Sequence, residues 1–386
     1  MNRTVLLTVL ALVQAVAGVR VVMRLLRTAR GERIAATDAA LPGERVTVVV
    51  PVLDERDRLA PCLDGLLAQP PEVAEILVVD GGSTDGTQEM VAGYARVGGR
   101  LRLVEAGPPP PERNGKAHGL QSGLDHADPA SGWILTVDAD VRPEPALARS
   151  LLAHAKRTGV AALSIATQQR LSGAGEGLVH PSLLTTLVYR FGIPGQVTGR
   201  VAEVQANGQC CLFRREALDG CGGFAAADGS VCEDVTVART LAAQGHLVGF
   251  SEADGLVTTE MYAGWRDAWC NWTRSLPMRD QHSGVGGWLG LAEVTLAQAL
   301  PLPLLAVARR AAPEARFALL VNAVLVMTRL GVLAGTARAY PERPWTYWLS
   351  PLADLPATVQ LWRSALRRRH VWRGRVLLRD DAGDLR

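Results

Sequence analysis

Ile76-Leu77-Val78-Val79-Asp80-Gly81-Gly82-Ser83-Thr84-Asp85-Gly86 is the stretch whose reading decides the fold. Four apolar residues run into an aspartate and then into a glycine-rich turn. A short apolar run bounded by turn residues reads as a buried strand of a parallel sheet. The same grammar repeats outward in both directions. Upstream, the β-branched run Val46–Val52 ends around Pro51 and Asp54-Glu55, and Leu59 to Leu67 has helical spacing. Downstream come a helix to about residue 96, a strand at 101–104, and a loop at Pro108–Pro111, where four prolines can continue neither element. A helix over 116–127, a strand over 133–138 ending in Asp138-Ala139-Asp140, and a helix over 145–157 follow. Residues 209–214 read as another strand, and Glu233 to Gln244 as an amphipathic helix. This alternation predicts an α/β fold with a mostly parallel sheet flanked by helices. Ligands of such sheets bind beyond the carboxyl ends of the strands. Asp80, the Asp138/Asp140 pair and Glu233-Asp234 are therefore expected along one edge.

The chain has 386 residues, 48% of them apolar, and a formal net charge of +3; its mean hydropathy is +0.11. That length accommodates a domain of about 200–250 residues plus an appendage. So small a positive charge gives no support for nucleic-acid binding. The six cysteines, Cys62, Cys210, Cys211, Cys221, Cys232 and Cys270, show no CxxC spacing, so no zinc site is expected. The surplus apolarity lies at the ends. Residues 4–19 are apolar apart from one glutamine and precede Arg20, Arg24, Arg27, Arg30 and Arg33. A signal peptide carries its positive charge before the apolar run. The order here predicts an N-terminal anchor over residues 1–30 in the cell (inner) membrane, with the α/β domain at 45–260 facing the cytoplasm.

Beyond residue 260 the character changes. Trp265, Trp269 and Trp272 recur at helical spacing among Arg266, Arg274 and Arg279. This composition predicts an interfacial amphipathic helix, which serves for anchoring or for lining the approach of a lipid. Three apolar stretches follow, at 285–308, 317–337 and 345–362. Glu293, Pro301 and Pro303 make the first read as interfacial or re-entrant, within a segment 261–310. The other two then form a transmembrane hairpin over 317–362, which returns the basic tail 363–386 to the cytoplasm. Ser172–Gly177 reads as a glycine-rich loop.

Asp138 and Asp140 alternate at a strand end, so their carboxylates can flank one cation, and Mg²⁺ or Mn²⁺ suits such oxygen ligands. Alternatively they cap a turn. Asp80 lies beside Gly81-Gly82, where a flat ring can approach the backbone; the alternative is an Asx turn, with Asp85 capping the next helix. Lys116, in Asn114-Gly-Lys116 at a helix start, either reaches a phosphate or is solvated. Asp234 is the candidate general base, and Glu233 either shares its site or orients a loop. Both also sit where a helix N-terminus favours acids on electrostatic grounds.

Taken in order, Val48-Val-Val-Pro51 with Glu55, Val79-Asp-Gly-Gly-Ser-Thr-Asp85, Asp138-Ala-Asp140 and Glu233-Asp234 resemble a family 2 glycosyltransferase of the GT-A fold, over about residues 45–275. Met261-Tyr262, Trp269-Cys-Asn-Trp-Thr-Arg274 and Trp372-Arg-Gly-Arg375 resemble its membrane-bound branch, related to ceramide glucosyltransferase and to carotenoid- and hopanoid-associated glycosyltransferases. The resemblance implies an inverting enzyme that takes one sugar from a nucleotide-sugar, a UDP-sugar by preference. Pro51, Asp54 and Glu55 would contact the nucleoside, with Glu55 alternatively pairing with a nearby arginine, and Asp80 would accept from the uracil edge. Lys116, Asp138 and Arg274 would meet the diphosphate, Asp140 and Asp138 would hold Mg²⁺ or Mn²⁺, and Asp234 with Glu233 would be catalytic. Arg274 is followed by Ser275 where processive synthases carry Trp, which implies single-sugar transfer. The implied acceptor is lipid-like, a carotenoid, hopanoid or other lipid hydroxyl or carboxylate. Transfer to polyprenyl phosphate and a non-catalytic membrane scaffold stand as alternatives.

Overall fold

The computed structural model describes residues 3–110, 113–278, 284–308, 315–367, 369–372 and 375–378. They fall into two compact units: a helical one drawn from Met1–Arg30, Arg170–Ile193 and Tyr262–Val376, and an α/β one built on Gly31–Gln169 and Pro194–Met261. In chain order, α1 (Arg3–Thr28) belongs to the helical unit. The α/β unit then runs β1 (Val46–Val52), α2 (Arg56–Leu67), β2 (Val73–Asp80), α3 (Thr87–Gly98), β3 (Leu101–Glu105), α4 (Gly115–His126), β4 (Trp133–Val137), β5 (Val141–Pro143), α5 (Leu147–Thr158), β6 (Ala162–Ala166) and β7 (Gln168–Gln169). After α6 (Ala174–Phe191) in the helical unit, it resumes with β8 (Gln196–Thr198), β9 (Cys210–Arg214), α7 (Arg215–Gly220), α8 (Glu233–Ala243), β10 (Val248–Glu252) and β11 (Val257–Thr259).

Eight strands form one sheet in the order β3-β2-β1-β4-β9-β6-β10-β8, and β5-β11-β7 form a small second sheet. The parallel pairs β1–β2, β1–β4, β2–β3 and β6–β10 fulfil the expected mostly parallel sheet. Only β9, antiparallel to β4 and β6, and β8, antiparallel to β10, reverse. Neither is reached through a crossover helix packed on the sheet, so the βαβ rule does not fix their direction. Alternating side chains split the apolar strands between two cores. Val48, Val50, Ile76 and Leu135 pack with Leu59, Leu63, Leu147 and Leu151 of α2 and α5. Val49, Leu77, Val79 and Ile134 pack on the other face with Leu120 and Leu124 of α4 and Leu241 of α8. A sheet covered on both faces needs apolar residues at consecutive positions, which is why VTVVVPV reads as a continuous run.

The helical unit departs from the sequence reading in three places. The expected loop at 172–177 gives way at Ala174 to the buried helix α6, which carries Pro181 inside it. The interfacial segment is helical but broken, with a π-helical stretch over Ala268–Trp272. Most consequentially, the second arm of the expected hairpin is not one helix. The nine-residue 3₁₀ stretch Trp345–Ala353 hands over at Asp354 to the helix Asp354–Leu366. The latter, 13 residues long, reaches only about 20 Å against a hydrocarbon core of about 30 Å. Asp354 instead turns inward, where Arg329 Nε donates to its Oδ2 at 2.8 Å and Ser182 Oγ and Gln298 Nε2 donate to its Oδ1 at 2.7 and 3.0 Å.

Among the described residues, two helices are long and apolar enough to cross a membrane, Val5–Thr28 and Arg316–Ala339. The pair Val285–Ala299 and Pro301–Ala308, bent by 45°, is either a broken third crossing or a re-entrant loop. Pro301 has no N–H to give, and the ladder accommodates it by a π turn in which Leu300 N–H donates to Thr295 C=O. Glu293, the acid that argued against a crossing, is buried and paired with Arg20 and Arg24 of α1.

A candidate active site at the carboxyl edge of the sheet

The site is assembled at the ends of β1, β2 and β4, closed by the N-termini of α4 and α8. Asn114 sets α4 in place: its Oδ1 accepts from Lys116 N–H at 2.8 Å and Ala117 N–H at 3.1 Å, while its Nδ2 donates to Ser230 C=O at 2.7 Å. This cap delivers Lys116 into the acidic cluster. The Lys116 ammonium lies 2.7 Å from Asp138 Oδ1, 3.0 Å from Asp138 Oδ2, 3.0 Å from Glu233 Oε1 and 3.0 Å from Gly208 C=O. Lys116 is thus held by protein oxygens rather than left as a solvated lysine. Gly208 permits the closure, because a Cβ there would stand 2.8 Å from Lys116 Nζ and 3.1 Å from Glu233 Oε1.

The cluster holds more negative charge than its one lysine neutralises. Burial works against the Lys116 ammonium, but Asp138, Glu233 and Asp234 hold its pKa well above the ordinary value. Burial raises Asp138 in spite of that lysine. Asp140 is pushed up to about 7 by burial and then by the neighbouring Asp138 charge. Asp234 reaches about 7 through burial and the adjoining Glu233. Glu233 is committed to Lys116, whereas no ion pair engages Asp234 among the described residues. An unpaired carboxylate with a pKa near neutrality suits a general base.

A divalent cation fits the Asp138/Asp140 pair on one specific observation: Asp140 Oδ1 is buried and has no hydrogen-bond partner among the described residues. Asp138 is shared with Lys116, and no group of three or more His, Cys, Asp or Glu able to hold a metal converges among the described residues. A cation bound here would complete its shell with oxygens from a ligand.

Asp80 accepts from Gly82 N–H at 2.9 Å and Gln88 Nε2 at 2.6 Å through Oδ2, and from Ser83 N–H through both oxygens. Burial raises its carboxyl, but the Ser83 and Gln88 side chains and the two backbone donors outweigh that and hold it below its ordinary value. The Asx-type turn is thus present, and it leaves Asp80 ionised at the end of β2. Asp85 takes the capping role, accepting from Thr87 N–H at 3.0 Å. Asp54, at a positive φ of 53°, accepts from Thr84 N–H at 2.8 Å, which ties the β1 loop to the β2 loop. Glu55 pairs with Arg58 at 2.7 Å, as its structural reading holds. Pro51 lies in β1 opposite Val79. Arg274 falls in the helical unit, on the short turn Thr273–Ser275, and its side chain lies outside the described residues, as do Arg373 and Gly374 of the tail motif. Two participants were not singled out from sequence: Gly208 and Gln209, in a loop whose only sequence signal is Asn207-Gly-Gln209 ahead of β9.

Residues 47–222 match the family described as Glycosyl transferase family 2. Over 124 residues the chain is 36% identical to glucosyl-3-phosphoglycerate synthase of Mycolicibacterium paratuberculosis, covering 30% of this chain and 34% of that protein. Over 102 residues it is 37% identical to dolichyl-phosphate beta-glucosyltransferase ALG5C of Trichomonas vaginalis, covering 24% and 28%. The match thus spans about a third of the length of these curated relatives. Among solved structures, mannosyltransferase PcManGT from Pyrobaculum calidifontis, a complex with GDP-Man and Mn²⁺, superposes with a TM-score of 0.54 at 22% identity, covering 92% of this chain and 99% of that one. This likeness establishes a shared GT-A-type fold.

Proposed function

We propose, from the premise that residues 47–222 form a glycosyl transferase family 2 domain, that the chain moves one sugar from a nucleotide-sugar to a lipid-like acceptor at a membrane, with inversion. The observation that carries this reading is the convergence of Lys116, Asp138, Asp140 and Asp234 at the carboxyl edge of the sheet, with Asp234 in no ion pair among the described residues and pushed up to about 7 by burial and Glu233.

Asp80 and the Asp54 loop hold the nucleoside end, as the resemblance implies, and a UDP-sugar suits an ionised carboxylate facing a base N–H. Lys116, as the resemblance implies, would meet the diphosphate, exchanging part of its contacts with Asp138 and Glu233 for phosphate oxygens. Mg²⁺ or Mn²⁺ held by Asp140 and Asp138 would supply Lewis-acid stabilisation of the leaving diphosphate. Asp234 takes the proton from the acceptor hydroxyl. The freed oxygen attacks the anomeric carbon from the side opposite the diphosphate, and the carbon–phosphate-oxygen bond breaks to release the nucleoside diphosphate. A lipid acceptor is supported by the apolar helices of the helical unit.

A second reading, transfer to polyprenyl phosphate, is favoured by the local similarity to a dolichyl-phosphate glucosyltransferase. It fits Asp234 less well, since a phosphate acceptor is already ionised at neutral pH and needs no base. The test supplies the full chain, in membranes, with radiolabelled UDP- and GDP-sugars. Label is expected in a lipid product that survives mild acid. Acid-labile label identifies the polyprenyl-phosphate product, and absence of lipid label from every donor overturns the proposal.

A further inference from the structure

Gln209 is 3% exposed, and its neighbours favour one orientation of its amide. Three donors converge on its Oε1: the Thr167 hydroxyl, Asn207 Nδ2 at 2.9 Å and Gln169 Nε2 at 3.3 Å. Turning the amide over would set its NH₂ against the donors Asn207 Nδ2 and Gln169 Nε2, with only the Thr167 hydroxyl able to accept. The nitrogen is thereby fixed on the remaining side, and it is a buried donor with no partner among the described residues. A buried polar group without a partner costs about 1–3 kcal/mol, so one retained at a site calls for an occupant.

Its position shows where that occupant lies. In the β4–β9 ladder Val137 faces Cys210, and the ladder continues as Asp138 N–H donates to Gln209 C=O at 2.9 Å. Directly opposed residues of an antiparallel pair present their side chains on one face. Gln209 and Asp138 therefore share a face, and the preceding Gly208 C=O accepts from Lys116 Nζ at 3.0 Å, while a Cβ there would stand 3.1 Å from Glu233 Oε1 and 3.3 Å from Asp234 Cβ. The Asn207–Gly208–Gln209 loop thus bridges the acids assigned to the leaving group and the acid assigned to the base.

We propose that Gln209 Nε2 donates to a hydroxyl of the transferred sugar and is a specificity-determining contact of the donor site, an inference that rests on the proposed function. An anomeric carbon in flight between the diphosphate and Asp234 lies between the two acids this loop spans. The diphosphate is served by Lys116 and the cation site, whereas a neutral amide satisfies a neutral hydroxyl without adding charge.

The test compares full-length wild type and Gln209→Met for binding of UDP and UDP-glucose (GDP and GDP-mannose if those bind better) with Mn²⁺, and of the 2-, 3-, 4- and 6-deoxy-sugar donors. Gln209→Met is expected to leave free-nucleotide affinity unchanged and to weaken the nucleotide-sugar about 5- to 150-fold, the range for a buried group losing its partner. One deoxy position should cost the wild type a similar factor and cost Gln209→Met nothing further. Equal losses for nucleotide and nucleotide-sugar, or deoxy penalties identical in both proteins, overturn the proposal. If Gln209→Met does not fold, Thr167→Val, which removes one of the orienting donors, should flatten the same deoxy penalty, and an unchanged penalty is the overturning result. A wild type that binds no nucleotide-sugar refutes the proposed function instead.

Discussion

At the scale of single residues, two carboxylates with pKa values near 7 carry different expectations. Asp234→Asn keeps the shape of the side chain and cannot accept a proton, so donor affinity should persist while kcat falls about 10²–10⁴-fold. In the wild type Asp234 must be ionised to act, so kcat should rise with pH through about 7 and level off above it; a flat profile over pH 6–8 would remove it as the base. Asp140 must also lose its proton to bind a cation. Mn²⁺-dependent UDP affinity, measured by calorimetry, should therefore strengthen as pH rises through about 7, and Asp140→Ala should abolish the Mn²⁺ dependence while the fold survives. Most of these acids were legible because each ends an apolar run or begins a helical one. Gln209 was not, because its meaning depends on which of its atoms burial leaves without a partner, and that is decided by Thr167, Gln169 and Asn207 converging from other segments.

At the scale of elements, α4 is the piece on which the site depends most directly. Removing its cap by Asn114→Ala should cost about 1 kcal/mol of stability and raise the donor KM, because Lys116 loses its fixed starting point. An unchanged KM with lowered Tm would confine Asn114 to structure. Strands such as Val46–Val52 were legible because burial on both faces writes an unbroken apolar run, whereas β6 and β10, also parallel, were not read as strands. The helix α6 was missed because Gly173, Gly175 and Gly177 carry the signature of a loop at its start and Pro181 that of a break. Tertiary packing overrides both: Thr346 Oγ1 donates to Ala174 C=O at 2.6 Å, and Gly177 leaves room for Pro344 where a Cβ would stand 2.3 Å away. The tryptophan-rich segment kept its helical character but not its regularity.

At the scale of the whole molecule, the contacts within the helical unit order its apolar helices. Gln14 Nε2 donates to Asn322 at 3.0 Å, and Gly18 packs against Leu325, so α1 and the Arg316–Thr336 helix advance in the same direction. Glu293 meets Arg20 and Arg24, and Leu296 C=O accepts from Gln14 at 2.9 Å, so 285–308 advances in the opposite one. These pairings favour 285–308 as the middle passage, in place of the hairpin's second arm at 345–362 expected from sequence. Pairing Glu293 with two arginines removes the charge that spoke against the middle passage. A cysteine introduced in the link between Pro301–Ala308 and Arg316–Thr336, on a background without native cysteines, is expected to label from outside intact cells, and one placed after Arg30 is not. Protection of the link would restore the re-entrant arrangement.

The pairing of α1 with distant residues also sets a timetable. Glu293 lies 273 positions beyond Arg20, and Asn322 lies 308 beyond Gln14. At about 5–20 residues per second, the ribosome needs roughly 15–60 s to supply those partners. On the proposed membrane reading, the newborn first helix lodges in the bilayer through that interval on its own apolarity, with the Gln14 amide in hydrocarbon before its partners are made. On the same reading, a chain that stalls before residue 293 exposes unmatched polarity to lipid, and the later helices supply the partners for Gln14, Arg20 and Arg24.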